Sequence, residues 1–556
     1  MGEKIKVEMN DWLFNAGIVG IVNILEHAGD KVEKYNDYIE FEEEVLDNFE
    51  EKYFKYIIDI YAKQLSWNKI VSYKPTLNYF EEEGFQDFNK DNLDRLNNYI
   101  KDVKYYTKSN SYKAAYDLIN SDMDVVSISK GLKTIKLKKK ETIEDIVEDV
   151  KHNYEILKQI IVYMEKPQHK KYFAGKNAIY TIIKNSWNGI CFLNPQTKEK
   201  NIYKDFKDYF INPVNDYIED DKTKYKYNCF NCERDMKDLN NDYSFLNNIG
   251  FDVSRKSSHV WEFNNDAAMC PICKLIYSCT PAGIIYAYSK GIFINNNSDI
   301  TSLIDTNNKI KYELNNEEGF SRGSTYRALM ESIVEKYNET IKYEISDIQL
   351  IRYESEIYKF NILSKKVLEI LENSKEELNK LVKTGYKEIN TYFNIYELVI
   401  DRIFNNQNLF TLIHKLLIFK LSSPKDCRFN TSHVKKILKI NMKFMEGMGF
   451  MYVNEKDIVK TASASGYYLR EKYRQKGSID KLNGISYRLL NSLKTNNKDM
   501  FMDTLLNCYL YAQKCVPKVF LDALKDEENF KSIGYAFVTG LIEGKEDNNG
   551  GDNNVK

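Results

Sequence analysis

Two cysteine pairs are the residues best placed to do chemistry. "CFNC" supplies Cys229 and Cys232, and "CPIC" supplies Cys270 and Cys273. Each Cys-x-x-Cys offers two thiolates from one tight turn, and two such turns complete the four soft ligands of a zinc tetrahedron. The 37 residues between the pairs exceed the roughly 15–20 of an ordinary zinc ribbon, so the insert must fold as an excursion of its own. Pro271 stiffens the second turn. A redox device needs only one pair beside a helix start. A catalytic zinc keeps an open position; here four cysteines already close the shell, although His259 lies between the pairs. The reading is a structural zinc site, with loss of the metal, an iron–sulfur cluster and redox use as its alternatives. Cys279 reads as a small core residue.

Other catalytic patterns fail on inspection. There is no His-Glu-x-x-His motif and no Gly-x-Gly-x-x-Gly fingerprint. In "FAGKNAIY" Asn follows Gly-Lys where a phosphate loop needs Ser or Thr, and Lys170 stands where it needs the first Gly. "GFSRG" (Gly319–Gly323) matches a nucleophile elbow, but the elbow must follow a buried strand, and "LNNEEG" precedes it. Six scattered His and no His-Asp dipeptide argue against a metal-dependent nuclease core. The chain is expected to be non-enzymatic.

Composition sets the frame for these residues. The chain has 556 residues, 43% hydrophobic and 29% charged, with net charge −1. That is a soluble, multidomain protein with no global field for nucleic acid or membrane; a nucleic-acid surface must be a local patch. Nine cysteines spread over this length suit a reducing cytoplasm better than a disulfide scaffold. The 42 tyrosines accompany abundant Lys, Asn and Ile, as AT-rich codons dictate, and are not by themselves a sign of base stacking. "DWLFNAGIVGIVNILEH" (Asp11–His27) is too short to span a membrane and is interrupted by Asn15 and Asn23. It reads as a buried first helix with an Asn or Asp cap.

The elements follow from periodicity. Phe41, Val45, Phe49, Tyr53 and Ile57 recur every fourth residue, a helical face. "DVVSISKGLKTIKLKKKET" alternates and reads as two short strands or a hairpin turning at Lys130-Gly131. A helix follows from "ETIEDIVEDVKHNYEILK". Residues 171–192 read as Gly-containing turns around apolar segments, 283–315 as strands and turns, and the sequence from about 324 as helical. "SSPKD" (422–426) punctuates the chain. Beyond it stand four or five amphipathic helices, one burying Ile485, Leu489 and Leu493, another Met502, Leu505, Leu506 and Leu510, and one opened by Pro517. The predicted fold class is α+β, predominantly α-helical. It comprises an N-terminal mixed α/β domain (1–224), a zinc-ribbon-like insertion (225–285), a mixed then helical remainder (286–424), a C-terminal helix bundle (425–544) and a disordered tail (545–556).

The segment "DWLFNAGIVGIVNILEH", the "CFNC…CPIC" pairs and an all-helical C-terminal third resemble the CXXC–CXXC family, the large subunits of type I-B CRISPR effector (Cascade) complexes. The resemblance implies a non-catalytic subunit at the 5′ end of a guide RNA, beside backbone and guide-5′-end subunits. Such a subunit reads the protospacer-adjacent motif (PAM) in duplex DNA, helps to separate the strands and leaves cutting to a recruited helicase–nuclease. It also implies a cytoplasmic protein without membrane partners.

The chain offers residues for that role. Between Gly466 and Phe520 ten Lys or Arg face four Asp or Glu, a net +6. Arg470, Lys472, Arg474 and Lys476 interleave with Tyr467, Tyr468 and Tyr473, and Arg488 follows; phosphate neutralisation with stacking suits a single strand. Lys133, Lys136, Lys138, Lys139 and Lys140 form a second basic run. Either run can equally be a solvated face. Lys176 and Asn177 in "FAGKN", and Asn185 and Asn188 in "NSWNG", carry side chains able to read a base edge. Finally, Glu446-Gly447 is encoded by a purine run three codons before Met451, as an internal translation start would require. A product starting at Met451 would be the helix bundle alone, a small subunit and candidate partner. The competing readings are a zinc-stapled nucleic-acid-processing enzyme with an unrecognised active site, and a structural scaffold.

Overall fold

The computed structural model describes residues 4–119, 123–138, 141–247, 267–287, 290–296, 299–316, 348–354, 356–450 and 457–543. His259, Lys139, Lys140, Ser321, Met451 and the 545–556 tail lie outside them. The chain is mostly helical with small sheets, and it divides into two compact units: Met1–Asn308 with Leu350–Phe360, and Lys309–Gln349 with Asn361–Lys556. The 422–426 segment lies inside the second.

In the first unit, strand β1 (Lys4–Glu8) buries Ile5 and Val7 and leads into helix α1 (Trp12–Ala28). Asp11 caps α1, accepting from the Leu13 and Phe14 amides, and Gly29 closes it at φ 90°. These are the Asx and αL-glycine ends expected of a helix whose polar backbone groups must be met. β1 pairs antiparallel with β3 (Tyr38–Glu42), which also pairs with β2 (Glu33–Lys34). The fourfold spacing from Phe41 is therefore helical only from Phe49. Phe41 sits opposite Ile5 in the sheet, and the helix that follows is α2 (Phe49–Ile60). The strand partner lies far away in sequence, so local spacing could not reveal it.

Helix α1 is buried over Leu13–Leu25. Its Gly17 and Gly20 admit the backbone of α4 (Pro271–Ser278) and α5 (Thr280–Gly283). A Cβ at Gly17, Gly20 or Gly283 would overlap the carbonyls of Ile276, Cys279 and Ala16 respectively. From the other side α2 supplies tyrosines. The hydroxyls of Tyr53, Tyr56 and Tyr61 donate to the carbonyls of Ser278 (3.0 Å), Ala282 (3.3 Å) and Ile284 (3.0 Å). These tyrosines are buried donors that satisfy backbone acceptors. Cys279 is fully buried beside them.

Two stretches differ from expectation, the first of them read as two short strands or a hairpin turning at Lys130-Gly131. The 124–131 segment is a short helix, Val125–Lys130, because Asp124 caps it through the Ser127 amide at 3.0 Å. After it, residues 132–138 form neither helix nor strand. The Asn97 side chain brackets Ile135, and the Asn153 side chain brackets Lys133; each amide meets one backbone N–H and one C=O within 2.8–3.0 Å. Of residues 171–192, expected as Gly-containing turns around apolar segments, the first part instead lies in helix α3 (Pro167–Thr181), with Gly175 packed against Ile202. Of the stretch 283–315, expected as strands and turns, the first part holds strands β6 (Ile285–Ala287) and β7 (Lys290–Asn295), whereas the second is a helix (Ile300–Asn316). Strands β6 and β7 continue into a four-stranded sheet with β8 (Ile348–Glu354) and β9 (Ile357–Leu363), two strands not foreseen in a stretch read as helical.

In the second unit a small sheet, ordered β11-β10-β12, joins the hairpin β10 (Gly385–Glu388) and β11 (Thr391–Asn394) to β12 (Cys427–Arg428). It stands among helices that include α6 (Phe410–Ser422) and α7 (Thr431–Gly447). The C-terminal helices α8 (Ile458–Gln475), α9 (Lys481–Lys494), α10 (Lys498–Ala512) and α11 (Glu527–Ile542) pack together. α8 and α11 cross through small residues: a Cβ at Gly466 would overlap the Phe537 carbonyl, and one at Gly540 the Ser463 carbonyl. Leu489 and Leu493 are buried as expected. α10, however, buries Phe501, Leu505, Cys508 and Tyr509 and leaves Leu506 and Leu510 exposed. A short helix, Val519–Asp522, begins two residues after Pro517.

Candidate metal centre

The first knuckle stands on a two-stranded hairpin, β4 (Tyr227–Asn228) and β5 (Asp235–Met236). Cys229 N donates to Arg234 O at 2.8 Å, and Glu233 takes a left-handed φ of 61° to close the turn. The second knuckle is the N-terminus of α4. Cys270 is its N-cap and Pro271 its first residue, a position where a missing N–H costs nothing. The Phe230 amide donates to Ala268 O at 2.9 Å and draws the two halves together.

The four Sγ atoms lie within 4.8 Å of one another, and Cys229, Cys270 and Cys273 are buried. Cys232 and Cys270 Sγ stand 3.6 Å apart. That is far beyond the S–S bond of about 2.05 Å and close to the roughly 3.8 Å edge of a tetrahedron with zinc–sulfur bonds of about 2.3 Å. Hydrogen bonds from Cys232, Cys270 and Cys273 hold the Cys229 thiol far below its usual range, while Cys270 and Cys273 are pushed well above theirs, first by their thiol partners. Cys232 is lowered to about 7, so two anions form near neutral pH; four require a cation among them. The donor set, spacing and burial fit zinc, held by Cys229, Cys232, Cys270 and Cys273. Four cysteines supply fixed structure there and leave no ligand position to a substrate.

Two residues that sequence reasoning passed over complete the centre. Arg234 Nη1 donates to Cys232 Sγ at 3.3 Å, and its Nη2 binds the Lys6 carbonyl of β1. Burial opposes its charge, but Cys232, Cys270 and Cys273 outweigh that and raise its pKa. Asn231 donates to Cys273 Sγ at 3.5 Å, and Asn10 Nδ2 donates to its Oδ1 at 3.0 Å. Tyr277 OH lies 2.8 Å from Asp11 Oδ2, the cap of α1. The knuckle is thus tied to both N-terminal elements. The only sequence signal was a cation two residues past the knuckle in "CFNCER".

The remaining candidates do not gather around this centre. Lys133 and Lys136 are exposed on the bracketed 132–138 segment, and Lys138 pairs with Glu141 at 2.8 Å. Lys176 and Asn177 lie within α3. Lys176 Nζ donates to Lys200 O at 3.2 Å, and Asn177 Oδ1 accepts from the Ser66 amide at 2.7 Å. Asn185 donates to Thr181 O at 2.9 Å. Asn188 is exposed beside Gly189 in a turn held by Asn188 N and Phe245 O at 2.9 Å. In the second unit Arg470 turns inward to Leu541 O (3.1 Å) and serves the end of α11. Lys472 meets Gln475 (2.7 Å), Arg474 meets Glu471 (3.1 Å) and Lys476 meets Tyr511 O (2.6 Å). Arg488 lies 3.7 Å from Asp503, both side chains exposed. Tyr473 is buried, whereas Tyr468 is 69% exposed.

Two cysteine knuckles, one on a hairpin and one on a helix start, define a zinc-ribbon-like centre. Residues 222–285, which contain it, match a family described as CRISPR-associated protein (Cas_CXXC_CXXC). Over this region the chain is similar to the CRISPR-associated proteins of that family. Comparison with curated proteins and with solved structures gives no match. Among the described residues no helix is long and apolar enough to cross a membrane.

Proposed function

We propose that the chain is the non-catalytic large subunit of a type I-B CRISPR-guided DNA surveillance complex. The observation that carries this reading is the match of residues 222–285 to a CRISPR-associated family, in a segment whose four thiols cluster and whose exit helices lock onto α1. In this reading zinc is structural: it fixes the knuckles against β1 and the α1 cap. The chain reads the PAM in duplex DNA and stabilises strand separation, and the helicase–nuclease is recruited separately. The exposed Asn188 turn, with Lys133 and Lys136, offers the base-edge and phosphate chemistry for duplex contact. Lys176, Asn177 and Asn185, the other base-edge candidates, make hydrogen bonds within their own helix and to its neighbours.

Co-expression with guide RNA and neighbouring subunits, followed by binding to duplexes of varied PAM, tests the reading. Co-purification in one particle with PAM-dependent DNA binding is expected. A chain that joins no particle and cuts DNA alone with added metal would establish the enzyme reading. A chain that joins protein partners without altering DNA binding would be a scaffold.

A further inference from the structure

The second unit carries a basic face outside the 466–520 stretch. Residues 411–447 hold eight Lys or Arg against two acids, Asp426 and Glu446, a net +6. Four of the cations are matched by carboxylates: Lys415 by Glu388 (2.8 Å), Lys435 by Glu543 (2.7 Å), Lys439 by Asp457 (3.3 Å) and Lys443 by Glu377 (3.0 Å). Among the described residues, Arg428 and Lys436 meet no carboxylate at ion-pair distance. Lys436 reaches only Ser432 Oγ, at 3.4 Å.

Lys380 ends a short helix (Lys375–Asn379) that packs on α7, the helix of Lys436, and Arg428 precedes α7 by three residues. Arg428 on β12 lies over the Tyr392 ring at 5.5 Å, an approach possible because Gly385 between them has no side chain; a Cβ there would overlap the Tyr392 phenol. Lys420 acts on both Cys427 and His433. Burial first, then the charges of Lys380 and Lys439, lowers the pKa of Lys436 against the opposing charge of Glu377. Cations crowded this closely repel one another, and a polyanion relieves the repulsion.

The adjoining hairpin adds apolar surface. Ile389, at its tip, has φ 56° and a side chain 91% exposed. A β-branched residue is strained in the left-handed region, and such strain concentrates at functional sites. Tyr392 is also partly exposed, with one face against Arg428. Cations beside an exposed ring and an apolar tip are the components of a single-strand path, where phosphates are neutralised and bases stack.

We infer that this face binds a single nucleic-acid strand, with its phosphates on Lys380, Arg428 and Lys436 and its bases against Tyr392 and Ile389. The inference rests on the nucleic-acid role proposed above and gives the second unit its own strand contact. The displaced DNA strand and the guide RNA share the required chemistry.

Fluorescence anisotropy of the full chain with oligothymidylate and oligouridylate of about 20 nucleotides tests it, between about 50 and 200 mM salt. Binding of either strand is expected, and the stronger of the two identifies the source. K380Q/R428Q/K436Q should weaken binding about tenfold or more and reduce the salt slope by about 2, at roughly 0.7 per phosphate contact on a single strand. Ile389→Asn gives a second readout. Asn tolerates the left-handed conformation, so the melting temperature should hold or rise while affinity falls several-fold. A wild-type chain that binds neither strand, or a folded triple variant with unchanged affinity and slope, overturns the face. Failure to assemble with guide RNA would sink the proposed function but leave this measurement on the isolated chain standing.

Discussion

Arg234 shows how much of a metal centre lies beyond its ligands. Four thiolates around a divalent cation leave a net charge of −2, and one half-buried guanidinium and several amides face it. Outer partners of this kind typically account for 10–100-fold in metal affinity. Arg234→Gln should therefore keep one zinc per chain yet lose it about 10–100-fold more readily to a chromophoric chelator. Cys270→Ser should abolish stoichiometric zinc by elemental analysis. His433 provides a titration test. Its Nδ1 accepts from the Asn430 amide at 3.0 Å in a capping box, which requires the neutral ring. Burial, then Lys436 and Lys420, pushes its pKa down to about 4 from 6.5. In the window between those values the unfolded state takes up the proton and the folded state does not. The contribution of His433 to stability is complete above about pH 6.5 and is lost as pH falls toward about 4. Melting temperatures of wild type should decline more steeply across that window than those of His433→Asn.

At the scale of elements, backbone-to-backbone approach sets the architecture. α1 touches α4 and α5 through Gly17, Gly20 and Gly283, and α8 touches α11 through Gly466 and Gly540. In each place a side chain would meet a carbonyl that cannot move without its helix. Gly540→Leu should cost about 3 kcal/mol or more, at the upper end of overpacking penalties, measured by chemical denaturation. Gly484, where a Cβ would meet open space, is the control: Gly484→Ala should be neutral or stabilising. The glycines were visible in "NAGIVG" and "VTGLIEG", but not their partners, because helical spacing reports which face is apolar and not how closely the neighbour comes. The run 132–138 has the same lesson. Leu132 and Ile135 are buried three residues apart, with Lys133 and Lys136 exposed, so the alternating strand pattern is not kept. Its backbone is met by the side chains of Asn97, Asn153 and Lys104 from distant helices, which no local pattern encodes.

At the scale of the whole molecule, the cysteine centre belongs to the first compact unit and the single-strand face to the second. Removing zinc with a chelator should lower the unfolding transition of the first unit and leave that of the second in place, seen as two separating transitions by calorimetry. The sequence by itself determined the four ligands, because each pair comes from one turn and spacing within a turn is local. It also determined the helical character of the chain and an Asn or Asp cap on its first helix, which is Asp11; the resemblance read from the N-terminal segment, the cysteine pairs and the helical C-terminal third is met by the family match at 222–285. Only the tertiary structure decided which cations face outward. Arg470, taken from a basic run, and Lys176, taken from "FAGKN", turn to nearby carbonyls, whereas Arg428 is exposed against Tyr392 and Lys436 lies on the helix that packs against the one ending at Lys380. The physical reason is that ligation within a turn depends on neighbours along the chain. The direction of a long charged side chain depends on which carbonyl, carboxylate or ring the fold brings beside it.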